Sequence, residues 1–141
     1  MVELVHQRAS SDCVIAAIAM ALEKPYEEVL AAAEGIYDPE RGTGRDHEIL
    51  RNLGLSYEYK NGKPVGDFSS KRRVYGITAE FYRDFIWGRK ALVTVPSLNK
   101  EDGHHMVYYD GHAVYDPNPM DKKRYTEFEE LRPSEVTIFR C

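Results

Sequence analysis

A cysteine, a histidine, an aspartate and a glutamine carry the chemistry that this chain can do. Cys13 lies in HQRASSDCVIAAIAMAL, residues 6–22, where a polar segment gives way to an unbroken apolar run. A thiol at such a boundary is either a small buried side chain, the commoner fate of cysteine, or a nucleophile at a helix start. Helix N-termini favour negative charge and therefore the thiolate. Asp12 opposes it, because a neighbouring carboxylate disfavours a second anion, and an imidazolium would have to outweigh that. Far downstream, HMVYYDGHAVYD, residues 105–116, reads as two alternating runs joined by a two-residue turn at Asp110-Gly111. That turn pairs Tyr109 with His112, Val107 with Val114, and His105 with Asp116. Directly opposed residues share a face, so the register sets an imidazole beside a carboxylate and sends His104 to the other face. Such a pair fixes the imidazole tautomer and steadies the imidazolium. Gln7 supplies an amide that, with the Cys13 backbone N–H, would form an oxyanion hole. Thiol, base, orienting carboxylate and amide donor are together the parts of nucleophilic acyl transfer.

The elements that must position these groups are legible in outline. Asp12 or Ser11 can cap a helix beginning near Cys13, and Val14–Leu22 is apolar on every face, which predicts a central, fully buried helix. It ends near Lys24-Pro25. Pro25 suits the first turn of a second helix, PYEEVLAAAEG, whose apolar stripe is Val29, Leu30 and Ala33. A loop over 38–44 leads into a third helix from about Arg45 to Leu53, closed by Gly54. Strands are predicted at 56–59, 72–77, 91–95, 105–109, 112–116 and 135–139, with a helix at 78–88 and a loop or hairpin turn over 61–70. Helices first and antiparallel strands afterwards give an α+β plan with the helices on one side of a sheet. The chain reads as one domain over 1–141, helical over about 6–54 and sheet over about 55–141.

With 141 residues, 43% hydrophobic and 30% charged, the chain can bury a core of its own. Its net charge of −4 argues against a general nucleic-acid binder, although SSKRR at 69–73 is locally basic. No charged-then-apolar leader opens it, and Val14–Leu22 is too short to span a bilayer, so neither membrane nor export is expected. Two cysteines make no disulfide framework, and a Cys13–Cys141 bridge is disfavoured; a reducing, cytoplasmic setting is expected. The ten tyrosines read as sheet packing with wet hydroxyls. A metal site drawn from His104, His105, His112, Asp116, Cys13 and His47 lacks any tight ligand spacing, so no metal or other cofactor is expected.

QRASSDCVIAAIAM, followed far downstream by HHMVYYDG and VYDPNP, resembles the papain-like cysteine peptidases, and most of all the bacteriocin-processing (double-glycine) peptidase-like branch. The resemblance implies a papain-like α+β fold without cofactor. It implies Cys13 as nucleophile, His105 as general base and acid, Asp116 as its orienting partner and Gln7 as oxyanion donor. A peptide or protein substrate follows from it. Where that family has glycine after the cysteine, this chain has Val14. Two other functions fit the same residues: a binding or inhibitory protein without turnover, and an acyltransferase that resolves the acyl-enzyme with an amine. Nothing in the sequence sets an oligomeric state.

Overall fold

A computed structural model describes residues 3–9, 11–56, 59–60, 63–64, 66–72, 86–101 and 103–139. Three helices come first: α1 (Cys13–Leu22), α2 (Tyr26–Ala32) and α3 (Asp46–Asn52). Among the described residues seven strands follow. β1 (Tyr59–Lys60) and β2 (Lys63–Pro64) form a small ribbon, and β3 (Phe68–Arg72), β4 (Ala91–Pro96), β5 (His104–Tyr109), β6 (Val114–Tyr115) and β7 (Glu135–Phe139) form one sheet. Its order is β3-β7-β4-β5-β6, antiparallel throughout. The architecture is α+β.

The all-apolar run of α1 is explained by its surroundings. Val14 to Ala21 are buried, packed against β5 and β4 on one side and α2 on another. Leu92, Met106 and Tyr108 join this helical core from the sheet, with Phe68 and Phe139 at its β3–β7 end. Alternate residues face the other way. Val93, Val107, Tyr109 and Val136 pack there against Tyr125, Phe128 and Leu131, around a short 3-10 helix at Phe128–Glu130. Both sheet faces are thus covered, one by helices and the other by the segment leading to β7. α1 stops at Glu23, a left-handed residue at φ 53°.

Several expectations are corrected. Leu30 is 38% exposed, and the buried residues of α2 are Tyr26 and Val29, with Ala33 buried at its C-cap. A strand, β3, begins at Phe68, inside the stretch expected to be loop. Tyr108 and Tyr109 are fully buried, and the Tyr109 hydroxyl donates to the Gly111 carbonyl (2.8 Å) instead of meeting water. The turn after β5 slides by one residue: Tyr108 pairs with Tyr115 and Tyr109 with Val114. Its two central residues are therefore Gly111 and His112. The Asp110 carboxylate accepts from the backbone N–H of His112 (2.8 Å) and Ala113 (2.7 Å), which favours Asp just before the turn. Gly111, at φ 102°, supplies the left-handed residue. The expected helix at 78–88 lies outside the described residues up to Phe85, as do the Asn61-Gly62 turn, residues 73–77 of the expected 72–77 strand and Cys141.

Candidate active site

Cys13 is the first residue of α1, and the helix begins with the Ala16 N–H donating to the Asp12 carbonyl (3.2 Å). No side chain caps this end, so the N–H groups of the first turn, that of Cys13 included, have no partner within the helix. The thiol is free and half-buried. Two hollows meet at this point, of about 370 and 770 Å³, and both are lined by Cys13, Val14 and His105. The sulfur is neither sealed in the core nor out on open surface.

His105, near the start of β5, is 6% exposed. Its Nε2 donates to Asp116 Oδ1 at 2.6 Å, across a pair that is buried on both sides. That bond leaves Nδ1 as the ring nitrogen not held by Asp116. Burial pushes the imidazole down; the hydrogen bonds to Asp116 and to the Cys13 side chain, with the charges of both, outweigh it and hold His105 at about 9. The ring is therefore bonded to Asp116 and feels the charge of Cys13.

Asp116 reaches His105 by a different route from the expected one. On the observed register Asp116 falls beside Val107, not His105. Those two residues share a face of β5, so the carboxylate still meets the ring. Asp116 Oδ1 also accepts from the Asn118 N–H (2.8 Å) and Oδ2 from the Tyr125 N–H (2.7 Å). Three donors thus fix a carboxylate that is 2% exposed.

Gln7 is brought to the same place by backbone pairing. Its N–H donates to the Pro117 carbonyl (2.7 Å), and His6 Nδ1 lies 3.2 Å from the Asn118 carbonyl. The Asp116–Asn118 turn thereby holds the N-terminal segment against the imidazole's own anchor. Gln7 lines the larger hollow with Cys13 and His105 and is 7% exposed. Its Nε2 gives one proton to the Ala9 carbonyl (2.8 Å), which leaves the second N–H of that amide.

Asp12 does something the sequence reading did not assign to it. Its carboxylate makes no helix cap and is absent from the lining of either hollow. Fully buried, it accepts from the Arg8 N–H (2.7 Å), the Ala9 N–H (3.0 Å) and the Tyr26 hydroxyl (2.6 Å). Asp12 therefore shapes the loop that carries Gln7. Burial, then the hydrogen bond and charge of Asp12, push the Tyr26 phenol up, so it stays a donor. A carboxylate three and four residues after the Ala9 and Arg8 N–H groups it accepts from was the available hint, but the partner on α2 could not be read from sequence. The 38–44 loop also contributes a wall, with Arg41 to Gly44 on the larger hollow. Gly42 is at φ 76°, and a Cβ there would lie 2.8 Å from the Ser11 carbonyl oxygen, so only glycine lets this loop pack against the helix start.

The histidines considered as metal ligands are dispersed: His104 is exposed beside the cleft, and His112 is exposed in the turn. Among the described residues the group with ligand-type atoms within 4.8 Å of one another is Asp46, His47 and Glu135. There His47 Nε2 stands 3.8 Å from Asp46 Oδ2 and 3.6 Å from Glu135 Oε1, beside the Thr137 hydroxyl. Among the described residues no helix is long and apolar enough to cross a membrane. No protein-family model matches the chain, and no curated protein matches it.

Proposed function

We propose that the protein is a cysteine-nucleophile hydrolase of papain-like type, acting on a peptide or other amide through an acyl-enzyme. The observation that carries this reading is the His105 ring, bonded through Nε2 to buried Asp116 and interacting with the Cys13 thiol where two hollows meet. The resemblance of residues 6–22 and 91–119 to the papain-like peptidases supports it as well.

In this mechanism Nδ1 of His105 holds the proton that the thiol has given up, and the thiolate sulfur attacks the substrate carbonyl carbon. The oxyanion that forms is met by the Cys13 backbone N–H and the second N–H of Gln7 Nε2. Collapse breaks the C–N bond, and His105 returns the proton to the leaving amine. Water, deprotonated by the same nitrogen, then attacks the thioester; the C–S bond breaks, the carboxylic acid leaves, and the proton stays with the sulfur–imidazole pair, which restores the resting state. Asp116 stays ionised and keeps the ring in its tautomer throughout.

The test is acylation by p-nitrophenyl acetate, followed by peptide mapping. The proposal expects acetyl on Cys13 in a burst that His105→Ala abolishes, followed by slow release to water. Acetylation confined to lysines, or a Cys13 adduct formed equally fast without His105, contradicts it. Adding a primary amine separates hydrolysis from acyl transfer, because a transferase would release the acetyl group as an amide.

A further inference from the structure

The two hollows that meet at Cys13 differ in charge. The larger one is lined by Arg8, Arg41, Lys100 and Lys122, and no Asp or Glu is among its described lining residues. The smaller one carries Asp46 and Glu135. The chain as a whole has 23 acidic against 19 basic residues, so four cations with no carboxylate among the described lining residues depart from its composition. They also come from four separate stretches: the loop before α1, the 38–44 loop, the β4–β5 connection and the segment after β6. Convergence from four stretches onto one concave wall is what focuses a field.

Arg8 is engaged elsewhere, 2.7 Å from Glu27 and stacked 4.0 Å over the Tyr26 ring. Arg41, Lys100 and Lys122 are exposed and make no ion pair with any described residue. Their charge is therefore directed at whatever occupies the hollow on the Gln7 side of the thiol.

We infer that this hollow receives an anionic portion of the substrate, an acidic stretch of peptide chain. The word substrate rests on the hydrolase reading above; the binding itself needs no turnover. An acidic peptide fits better than a nucleic-acid strand, because no Phe, Tyr or Trp is among the described residues lining the hollow. Single strands are held by stacking on such rings as well as by charge.

The experiment is protection of Cys13 from iodoacetamide, read at the Cys13 peptide by mass spectrometry. The competitors are a Glu-rich pentapeptide, a Lys-rich pentapeptide and an oligodeoxythymidylate. At low salt the Glu-rich peptide is expected to protect with roughly tenfold higher affinity than the Lys-rich one, as a few exposed ion pairs provide. The preference should shrink towards parity in the Lys100→Gln, Lys122→Gln double variant, and as salt rises to about 0.5 M. Each ratio compares rates with and without peptide in one variant, so intrinsic thiol reactivity divides out. Isothermal titration of the Glu-rich peptide into the wild type and double variant must give the same ranking without any thiol chemistry. Equal protection by both peptides, better protection by the Lys-rich one, or protection by the oligonucleotide alone overturns the inference. Failure of the hydrolase reading appears separately, as peptide-free alkylation of Cys13 that is indifferent to His105→Ala.

Discussion

Replacing Asp116 by Asn isolates the electrostatic work of one buried carboxylate. An imidazole held at about 9, against an ordinary 6.5, favours the imidazolium in the folded state by roughly 3 kcal/mol. Because the folded value is the higher one, that stability is present in full below about pH 6.5 and is lost as pH rises through about 9. In Asp116→Asn the shape is kept, but burial is no longer countered by a neighbouring anion, so His105 should titrate lower by at least about one pH unit. The pH-dependent part of the stability should then shrink by at least about 1.4 kcal/mol. A second, pH-independent loss is expected on top. An amide oxygen can replace Oδ1 towards His105 and Asn118, but its NH₂ then faces the Tyr125 N–H, a buried donor that now has no acceptor. Leaving a buried donor unpaired costs about 1–3 kcal/mol. The assay is the titration of the His105 Cε1–H resonance in labelled protein, with urea unfolding at about pH 6 and pH 10. A stability difference between wild type and variant that is the same at both pH values, or an unmoved His105 titration, would refute the reasoning.

Gln7→Ala should slow acetylation of Cys13 by p-nitrophenyl acetate roughly 100-fold, the usual loss for one oxyanion donor. Alkylation by iodoacetamide, which forms no oxyanion, should fall by a much smaller factor. Tyr26→Phe removes the 2.6 Å bond to buried Asp12 and should cost about 1.5–3 kcal/mol in urea unfolding, the range for hydrogen bonds to a charged group. Gly42→Ala should lower the melting temperature, since a left-handed backbone alone costs about 1–2 kcal/mol with a Cβ, and the added atom meets the Ser11 carbonyl. Gly35→Ala, at φ 79° with nothing within 4 Å, is its control and carries the backbone part only.

What the sequence made legible were local patterns with one physical solution. An apolar run without a polar face could only be a helix covered on all sides, and α1 is that. β4, β5 and β7 fell close to their expected positions because their alternation serves two buried faces. The hairpin turn was placed one residue early because Asp-Gly suits the centre of a turn in isolation. Here the Asp110 side chain instead accepts two N–H groups from the position before it. The slide moves the register by two, which preserves the face, and for that reason Asp116 still meets His105. The roles of Asp12 and of the Pro117 carbonyl were not legible. Both depend on partners distant in the chain, Tyr26 on α2 and the N–H of Gln7, and no local pattern encodes such a meeting. The cationic wall was hidden for the same reason, its members being scattered over four segments.

The central claim is that His105 activates the Cys13 thiol. Carboxamidomethylation of Cys13 by iodoacetamide, mapped at its own peptide across about pH 5–10 in wild type and His105→Ala, tests it most directly. The account expects ready modification of the wild type at about pH 6, with the His105→Ala rate at least about tenfold lower there. Equal rates for the two proteins at that pH would contradict it.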